Sequence, residues 1–588
     1  MTRSRVVKAR AVAVSSTERR RQQTRAGRRR LVALAVTALG ALLVGIGVGA
    51  AREDSAEEVA VRFVNAWARG DYAGMYALVT PEARRRTSFK QFASAYRTAA
   101  STTTSQKLSA GKPTTPEAGI AVVPVQVRTA VFRSVDGRLR LPVVERDGTA
   151  AVDWKPHLVF PGVRAGERLR RQTWLAPRAA ILARDGTVLA SGPDRSSPLG
   201  SVASTVVGSI GPIPADRRAD SARRGVPSTA IVGISGLERE FDAELAGRPG
   251  GQLLAGDRVI ARAPAVAGPP VRSSIDPAVQ RGAVDALAGR YGGAVALDPR
   301  NGEILGLAGI ASGASQPPGS VFKIVTLAAA LEHGVVGPSR RFPVTTHAVL
   351  DGVKLQNANG EYCGGSLQNS FAHSCNSVFA PLGAKLGAER LVAAAERFGF
   401  NSAPSLAGAA RSTIPSPQEI LGDLDVGSTA IGQGRVLATT LDMAAVSATI
   451  ASRGVRRSPT ARQGDRQRPV RVISPRAARV MSSAMRAVVT TGTGQAAGLP
   501  GLRVAGKTGT AELRTTVSQP SPDTLDGPEV NDLTDTDAWF VAFAPQRKPR
   551  VAVAVLLVAH GTGGETAAPA ARVLLEAALS GPSRRNGE

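Results

Sequence analysis

Residues Gln316–Lys323 read QPPGSVFK, and this stretch decides the fold of the C-terminal half of the 588-residue chain. The Pro-Pro-Gly tripeptide ends the preceding segment and frees the backbone to start a helix. Ser320 and Lys323 stand three positions apart, so the spacing predicts that both side chains share one helical face. A serine hydroxyl becomes a strong nucleophile when a neighbour removes its proton, and a lysine removes it only when neutral. Alone, however, Ser-x-x-Lys is a short pattern that occurs often by chance.

A second motif, Ser374-Cys375-Asn376, lies 54 residues after Ser320. A serine hydroxyl there can relay a proton, and the Asn376 amide can hold a substrate carbonyl or the first lysine.

A third motif, KTGT, occupies residues 507–510, and Lys507 stands 187 residues after Ser320. It reads as a strand, and its glycine lets a ligand backbone approach closely. Lys507 supplies positive charge for a substrate carboxylate and for lowering the pKa of Lys323. The substrate-binding residues predicted from this motif are Thr508, Gly509 and Thr510.

The three motifs, in this order and at this spacing, resemble those of penicillin-binding D,D-transpeptidases and serine β-lactamases. Two further strings agree: VGSTAIGQGRVLATTLDMA at Val426–Ala444 and VVTTGTGQAA at Val488–Ala497. No region resembles a glycosyltransferase, and the long stem argues against a small secreted β-lactamase. The chain therefore resembles the class B penicillin-binding proteins, in which the position of Cys375 is variable.

The stem carries two further resemblances. AEEVAVRFVNAWARGDYAGMYALVTPEAR, starting at Ala56, is similar to a nuclear-transport-factor-2-like domain, and Val59, Phe63 and Trp67 in it recur with the period of an amphipathic helix. GISGLEREFDAELAGRPG, starting at Gly233, is similar to the linker or dimerisation domain of class B proteins and predicts one amphipathic helix.

The predicted fold class is α+β multidomain, ending in a transpeptidase α/β domain of the serine β-lactamase type. Its strands Ala294–Leu297 and Ile304–Leu307 precede the helical middle, whereas 537–545 and 551–558 follow it. We therefore expect a sheet whose first and last strands meet. The predicted domains are a cytoplasmic tail (1–30), a transmembrane helix (31–51), a nuclear-transport-factor-2-like domain (55–157), a dimerisation domain (158–272), a transpeptidase domain (273–580) and a tail (581–588).

Of the net charge of +28, +10 lies in the first thirty residues, where eleven are Arg or Lys against one acid, and the remaining +18 is scattered along the chain. With aromatics at only 4% and no basic stripe, nucleic-acid binding is not expected. Leu31–Ala51 is 21 residues without a charge, long enough to span a bilayer and longer than a signal-peptide core. We predict a single uncleaved anchor with the basic tail in the bacterial cytoplasm and the rest outside.

The histidines and cysteines are the residues that would indicate a metal site or a disulfide. The five histidines form no ligand-spaced pair, so no metal site and no cofactor are expected. Cys363 and Cys375 permit a disulfide outside the cytoplasm, but their spacing leaves the pairing open. After Glu512 an acidic stretch reads as a solvated loop.

The resemblance implies peptidoglycan stem peptides ending in D-Ala-D-Ala as substrate, a Ser320 acyl-enzyme, Lys323 as base and Ser374 as proton donor. β-Lactams would acylate the same serine. The implied partners are the stem peptides, β-lactams, the cytoplasmic membrane and a glycosyltransferase of the cell-wall machinery. Two alternatives stay open: a D,D-carboxypeptidase or β-lactam hydrolase, in which water replaces the acceptor amine, and a non-catalytic β-lactam sensor or divisome scaffold.

Overall fold

The computed structural model describes residues 55–146, 148–512 and 536–580. Within these ranges, no helix has the length and apolar character needed to cross a membrane. The predicted basic tail (1–30), transmembrane segment (31–51), C-terminal tail (581–588) and most of the acidic stretch (513–535) lie outside the described residues.

The described chain divides into two compact units. The first contains residues up to 171 together with 252–262, and the second contains 172–251 together with 263–580. The chain goes from one unit to the other three times, each time within a strand. These strands are β6 Leu169–Trp174, β11 Gly250–Ala255 and β12 Arg258–Ala263.

The first unit is an α+β domain in which helices precede an antiparallel sheet. Its helices are α1 Ala56–Ala68, α2 Tyr72–Ala77, α3 Pro81–Arg86 and α4 Phe89–Thr103. Its strands are β1 Ser105–Ala110, β2 Thr114–Glu117, β3 Ile120–Thr129, β4 Ser134–Arg146 and β5 Thr149–Val152, paired in the order β1-β3-β4-β5 with β2 on β3. The predicted apolar stripe of α1 faces the core: Val59 and Phe63 are buried, and Trp67 packs partly buried against them.

The N-terminal part of the second unit consists of short elements. They are β7 Ile181–Leu182, β8 Val188–Ala190, α5 Ser201–Val207, β9 Ile210–Pro212, α6 Arg218–Arg223, β10 Ile231–Gly233, α7 Gly236–Glu240, α8 Asp242–Ala246 and β13 Val271–Arg272. The single helix predicted after Gly233 was wrong, because the chain breaks at Phe241 into α7 and α8. Asp242, at the start of α8, accepts the Gly233 N–H at 2.7 Å, which ties the second helix to the end of β10.

The remaining part of the second unit is a five-stranded sheet with helices on both faces. The elements before the helical middle are α9 Pro277–Leu287, β14 Gly292–Leu297 and β15 Ile304–Gly309. Those after it are β22 Ala505–Glu512, β23 Thr536–Ala544, β24 Val551–Leu557 and α17 Ala568–Ser580. The strand order β15-β14-β24-β23-β22, antiparallel throughout, confirms that first and last strands meet.

The helical middle covers one face of this sheet. Its helices are α10 Lys323–Glu332, α11 Leu367–Ala372, α12 Asn376–Leu386, α13 Ala388–Phe398, α14 Gly422–Ala430, α15 Thr440–Ala451 and α16 Pro475–Thr490. Its minor strands are β16 Arg341–Thr345, β17 His347–Leu350, β18 Val353–Gln356, β19 Cys363–Ser366, β20 Val455–Arg456 and β21 Val470–Arg471.

Alternation along β23 explains why its residues 538–544 are all apolar. Trp539, Val541 and Phe543 belong to the core formed with α10, α15 and α16. Phe540 and Ala542 belong to a separate core formed with α9 and α17. Because both faces are covered, the strand has no solvent side to carry polar residues. The sheet is therefore a rigid base for the edge strand β22, which carries the third motif.

Candidate active site

Ser320 lies in a 3-10 turn, Gly319–Phe322, which leads directly into α10 at Lys323. The sequence predicted a shared face within one helix, whereas the structure places the serine in the tighter turn before it. In a 3-10 turn residues three apart are eclipsed, so Ser320 and Lys323 still lie on one side. Ser320 is half-buried, and its hydroxyl has no hydrogen bond to any residue of the described ranges.

Gly319 allows the turn to approach the third motif closely. Its φ is +50°, and a Cβ atom there would stand 2.4 Å from the Thr510 carbonyl oxygen. The Trp539 indole donates a hydrogen bond to the Pro317 carbonyl at 2.9 Å, which holds the same segment against the sheet. The nucleophile motif and the KTGT strand are thereby packed together.

Lys323 is completely buried at the start of α10. Its Nζ lies 2.6 Å from the Ser374 carbonyl oxygen, 2.6 Å from Asn376 Oδ1 and 3.2 Å from Ser374 Oγ. The ring of Phe379 lies 5.8 Å from the same nitrogen. Burial, and secondly the positive charge of Lys507, hold the pKa of Lys323 well below its ordinary value. The first and second motifs therefore meet through this lysine.

Lys507 is also completely buried, and it approaches the same serine from the edge strand β22. Its Nζ donates to Ser374 Oγ at 2.8 Å and to the Thr508 carbonyl oxygen at 2.8 Å. Burial lowers the pKa of Lys507 to about 7. The Ser374 hydroxyl thus lies between two lysine nitrogens, each of which is less basic than a lysine in water.

The second motif is held in an uncommon backbone conformation. Ser374 has a φ of +60°, a region that side chains other than glycine seldom adopt and that concentrates at functional sites. Asn376 opens α12, and its Nδ2 donates to the Gln356 carbonyl oxygen at 2.8 Å, so its Oδ1 is turned towards Lys323. Cys375 forms a disulfide with Cys363 of β19, which settles the pairing that the sequence left open.

The three predicted substrate-binding residues lie on β22 but differ in access. The Thr508 hydroxyl is buried and shares a 2.5 Å hydrogen bond with Thr493, so it is engaged inside the protein. Thr510 is half-buried, and its hydroxyl accepts from the Gly563 N–H at 3.4 Å. Gly509 packs against Pro318 and Val321, where a Cβ atom would stand 3.0 Å from each.

The sequence motifs did not identify two side chains, Thr493 and Phe371, that contact residues of this site. Thr493 binds both Thr508 and the Ala372 carbonyl oxygen, and thus joins β22 to the end of α11. Its only signal in the sequence was the string VVTTGTGQAA. Phe371 lies 5.7 Å from Lys507 Nζ, and no periodicity distinguishes it from an ordinary core residue.

Models of three protein families match successive parts of the chain. The penicillin-binding protein transpeptidase domain matches residues 292–576. The penicillin-binding protein dimerisation domain matches residues 186–259, and the NTF2-like N-terminal transpeptidase domain matches residues 55–167.

Individual relatives give the same result. The chain is 32% identical over 412 residues to the peptidoglycan D,D-transpeptidase PbpA of Mycolicibacterium smegmatis, which covers 59% of this chain and 79% of that protein. It is 35% identical over 293 residues to PbpA of Mycobacterium tuberculosis, covering 45% of this chain and 55% of the relative. The solved ceftriaxone acyl-enzyme complex of penicillin-binding protein A from M. tuberculosis matches with a TM-score of 0.54 and 27% identity, over 68% of this chain and 98% of the solved one. The chain therefore belongs to the penicillin-binding protein family, with the transpeptidase, dimerisation and NTF2-like domains of a class B D,D-transpeptidase.

Proposed function

We propose that this protein cross-links peptidoglycan stem peptides through an acyl-enzyme on Ser320. The observation that carries the proposal is the position of the Ser374 hydroxyl between two fully buried lysines. Burial and the nearness of a second positive charge both favour loss of the proton from Lys323. A neutral Lys323 is the base that a serine nucleophile needs.

The reaction begins when Ser320 Oγ attacks the carbonyl carbon of the penultimate D-Ala and Lys323 Nζ takes the hydroxyl proton. The backbone N–H groups of Ser320 and Thr510 stabilise the negative charge that develops on the carbonyl oxygen. The C–N bond then breaks, and the terminal D-Ala leaves as an amine that receives a proton through Ser374.

The second half uses the same groups in reverse. The amine of a neighbouring stem peptide attacks the Ser320 ester and gives up a proton through Ser374 to Lys323. A new amide bond forms as the ester C–O bond breaks, and Ser320 regains its proton from Lys323. Lys507 attracts the substrate carboxylate and lowers the pKa of Lys323. Asn376 keeps Lys323 in position, whereas Thr508 and Gly509 shape the strand along which the peptide lies.

We further propose that Leu31–Ala51 anchors the protein in the bacterial cell membrane with both described units outside the cytoplasm. The proposed domains follow the boundaries predicted above: 55–157, 158–272 and 273–580. A glycosyltransferase that polymerises the glycan strands is a fitting partner, since cross-linking requires neighbouring strands.

The test is mass spectrometry of the protein after incubation with penicillin. We expect one adduct, which peptide mapping assigns to the peptide containing Ser320, and no adduct in Ser320→Ala. An adduct on another residue, or an unchanged adduct in Ser320→Ala, contradicts the mechanism. Assaying a stem peptide with and without an acceptor amine then separates transpeptidation from carboxypeptidation.

A further inference from the structure

The helix that carries Asn376 begins without a cap of its own. Helix α12 starts at Asn376, and the side chain of the preceding residue, Cys375, makes no hydrogen bond to the first turn. The first N–H groups of a helix have no partner within it, and a Ser, Thr, Asp or Asn at the cap position usually accepts one of them. Cys375 cannot do so, because its sulfur is bonded to Cys363. The first turn of α12 therefore needs an acceptor from elsewhere in the chain.

Asn357, which directly follows the β17–β18 hairpin, supplies that acceptor. Its side-chain Oδ1 accepts the Ser377 N–H at 2.8 Å, across 20 positions of sequence. The residue before it contributes as well, since the Gln356 carbonyl oxygen accepts a hydrogen bond from Asn376 Nδ2 at 2.8 Å. Two adjacent residues thus hold both the backbone and the Asn376 side chain in the first turn of α12.

Asn357 is itself fixed in its orientation. The residue is only 6% exposed, and its Nδ2 donates to the carbonyl oxygens of Thr345 at 2.8 Å and Glu361 at 2.9 Å. Turning the amide over would set its oxygen against these two carbonyl oxygens and its nitrogen against the Ser377 N–H. The capping oxygen is therefore held in place from two sides.

The contacts of this first turn lead to the general base. Asn376 Oδ1 lies 2.6 Å from Lys323 Nζ, and it faces the lysine while Asn376 Nδ2 is bonded to Gln356. A catalytic group displaced by about 1 Å can lose roughly 100-fold in rate. Whatever holds the start of α12 therefore also sets the position of Lys323.

We infer that Asn357 is a positioning residue for Lys323 and that it acts through Asn376. The inference rests on the proposed function, in which Lys323 is the base that activates Ser320. None of the hydrogen bonds that the Asn357 side chain makes within the described residues reaches Ser320 or Lys323. Its effect on the reaction is therefore indirect, through the first turn of α12.

The test is a double-mutant cycle between Asn357 and Asn376, measured as the second-order rate of penicillin acylation of the full-length protein. We expect Asn357→Ala to slow acylation about 10- to 100-fold. In protein that already carries Asn376→Ala, the same change should slow it less than about twofold, because the group through which Asn357 acts is gone. Equal losses in the two backgrounds would overturn the inference, and so would an Asn357→Ala variant as fast as the wild type.

Asn369→Ala is the matched control. Asn369 also donates from its side chain to a backbone carbonyl of the same segment, that of Gly364 at 2.8 Å, but it makes no such bond to α12. This variant should keep the wild-type rate within about twofold. A loss as large as that of Asn357→Ala would show that any loosening of the segment slows acylation, which would also overturn the inference.

Circular dichroism shows whether each variant is folded. If Asn357→Ala does not fold, Asn357→Asp takes its place in the cycle, because it fills the same space and keeps an oxygen for the Ser377 N–H but cannot donate to Thr345 and Glu361. Its loss of rate should likewise disappear in the Asn376→Ala background, and a loss that persists there contradicts the inference.

Mapping of the penicillin adduct in the wild type separates this inference from the proposed function. An adduct on Ser320 together with equal losses in the two backgrounds removes only the role of Asn357. An adduct on another residue removes the acyl-enzyme mechanism and, with it, the role of Asn357.

Discussion

At the scale of single residues, the site depends on how two lysines share one hydroxyl. Lys323 and Lys507 both contact Ser374 Oγ, at 3.2 Å and 2.8 Å. Desolvation is the larger cause of the lowered pKa of Lys323, and the charge of Lys507 is the second. The two causes can be separated by mutation, because removing Lys507 removes its charge and leaves the burial of Lys323 largely in place.

We predict that Lys507→Ala shifts the pH profile of acylation towards higher pH. In the proposed mechanism acylation requires neutral Lys323, so the rate rises as the pH passes the pKa of that lysine. Without the neighbouring charge this pKa rises, and the profile moves with it. The pKa of Lys507 is about 7, so the loss should be greatest below about pH 7, where Lys507 is charged. The measurement is the second-order acylation rate from about pH 6 to about pH 10.

Matched substrates and a conservative variant control this experiment. A β-lactam carboxylate should lose more rate than its methyl ester in Lys507→Ala, because only the acid uses the charge of Lys507 for docking. Lys507→Arg keeps the charge but not its position, so it should recover part of the rate. An equal loss for acid and ester together with an unmoved pH profile would show that neither role belongs to Lys507.

At the scale of elements, the segment from β19 to the start of α12 positions the second motif. The disulfide links Cys363 to Cys375, twelve positions further along the chain. Cys375 stands between Ser374 and Asn376 in the sequence. Ser374 keeps a left-handed backbone within this segment. The disulfide therefore restrains the segment that carries two of the groups contacting Lys323.

We predict that the double variant Cys363→Ala/Cys375→Ala is less stable and is acylated more slowly. Loop-closure entropy sets the loss at up to about 3 kcal/mol. Urea unfolding and the rate of penicillin acylation measure the two effects. Wild-type protein treated with a reductant is the control and should change in the same direction. Unchanged stability and rate in the double variant would mean that the packing of α11 and α12 suffices.

At the scale of the whole molecule, two units with separate cores follow a charged tail and an apolar run. The NTF2-like core and the transpeptidase cores share no residue. Leu31–Ala51 is an uncharged, largely apolar run of bilayer length, and it follows eleven basic residues. The basic tail and the apolar run that follows it together predict a single membrane pass with the N-terminus in the cytoplasm.

We predict that a reporter enzyme active only outside the cytoplasm works when fused after Ala60 and is silent when fused at Thr24. The physical reason is the retention of basic flanks in the cytoplasm. Immunoblots of both fusions control for expression. Release of the full-length protein from membranes by high salt alone would contradict the anchor, because an inserted helix is not held by charge.

Patterns along the chain were sufficient for much of the catalytic domain. The apolar runs of β23 and β24 predicted buried strands, and the ordered motifs predicted which side chains belong to one site. The strands can be predicted because they depend on neighbours a few positions away, through periodicity and turn chemistry. The assignment of Lys507 to a strand has the same origin, since β22 is read from its own residues. The shared site of motifs 54 and 187 residues after Ser320 follows instead from the family resemblance.

Only the tertiary structure decided the details that depend on distant contacts. Lys507 meets Ser374 across 133 positions of sequence, and Thr493 meets Thr508 from a different element. Close approach of the Thr510 carbonyl explains why Gly319 precedes the nucleophile. The order of causes behind the low pKa of Lys323 also required the fold, because burial is a property of the packed molecule. The sequence therefore predicted which groups take part, whereas packing determined their distances, their access to water and the direction of their pKa shifts.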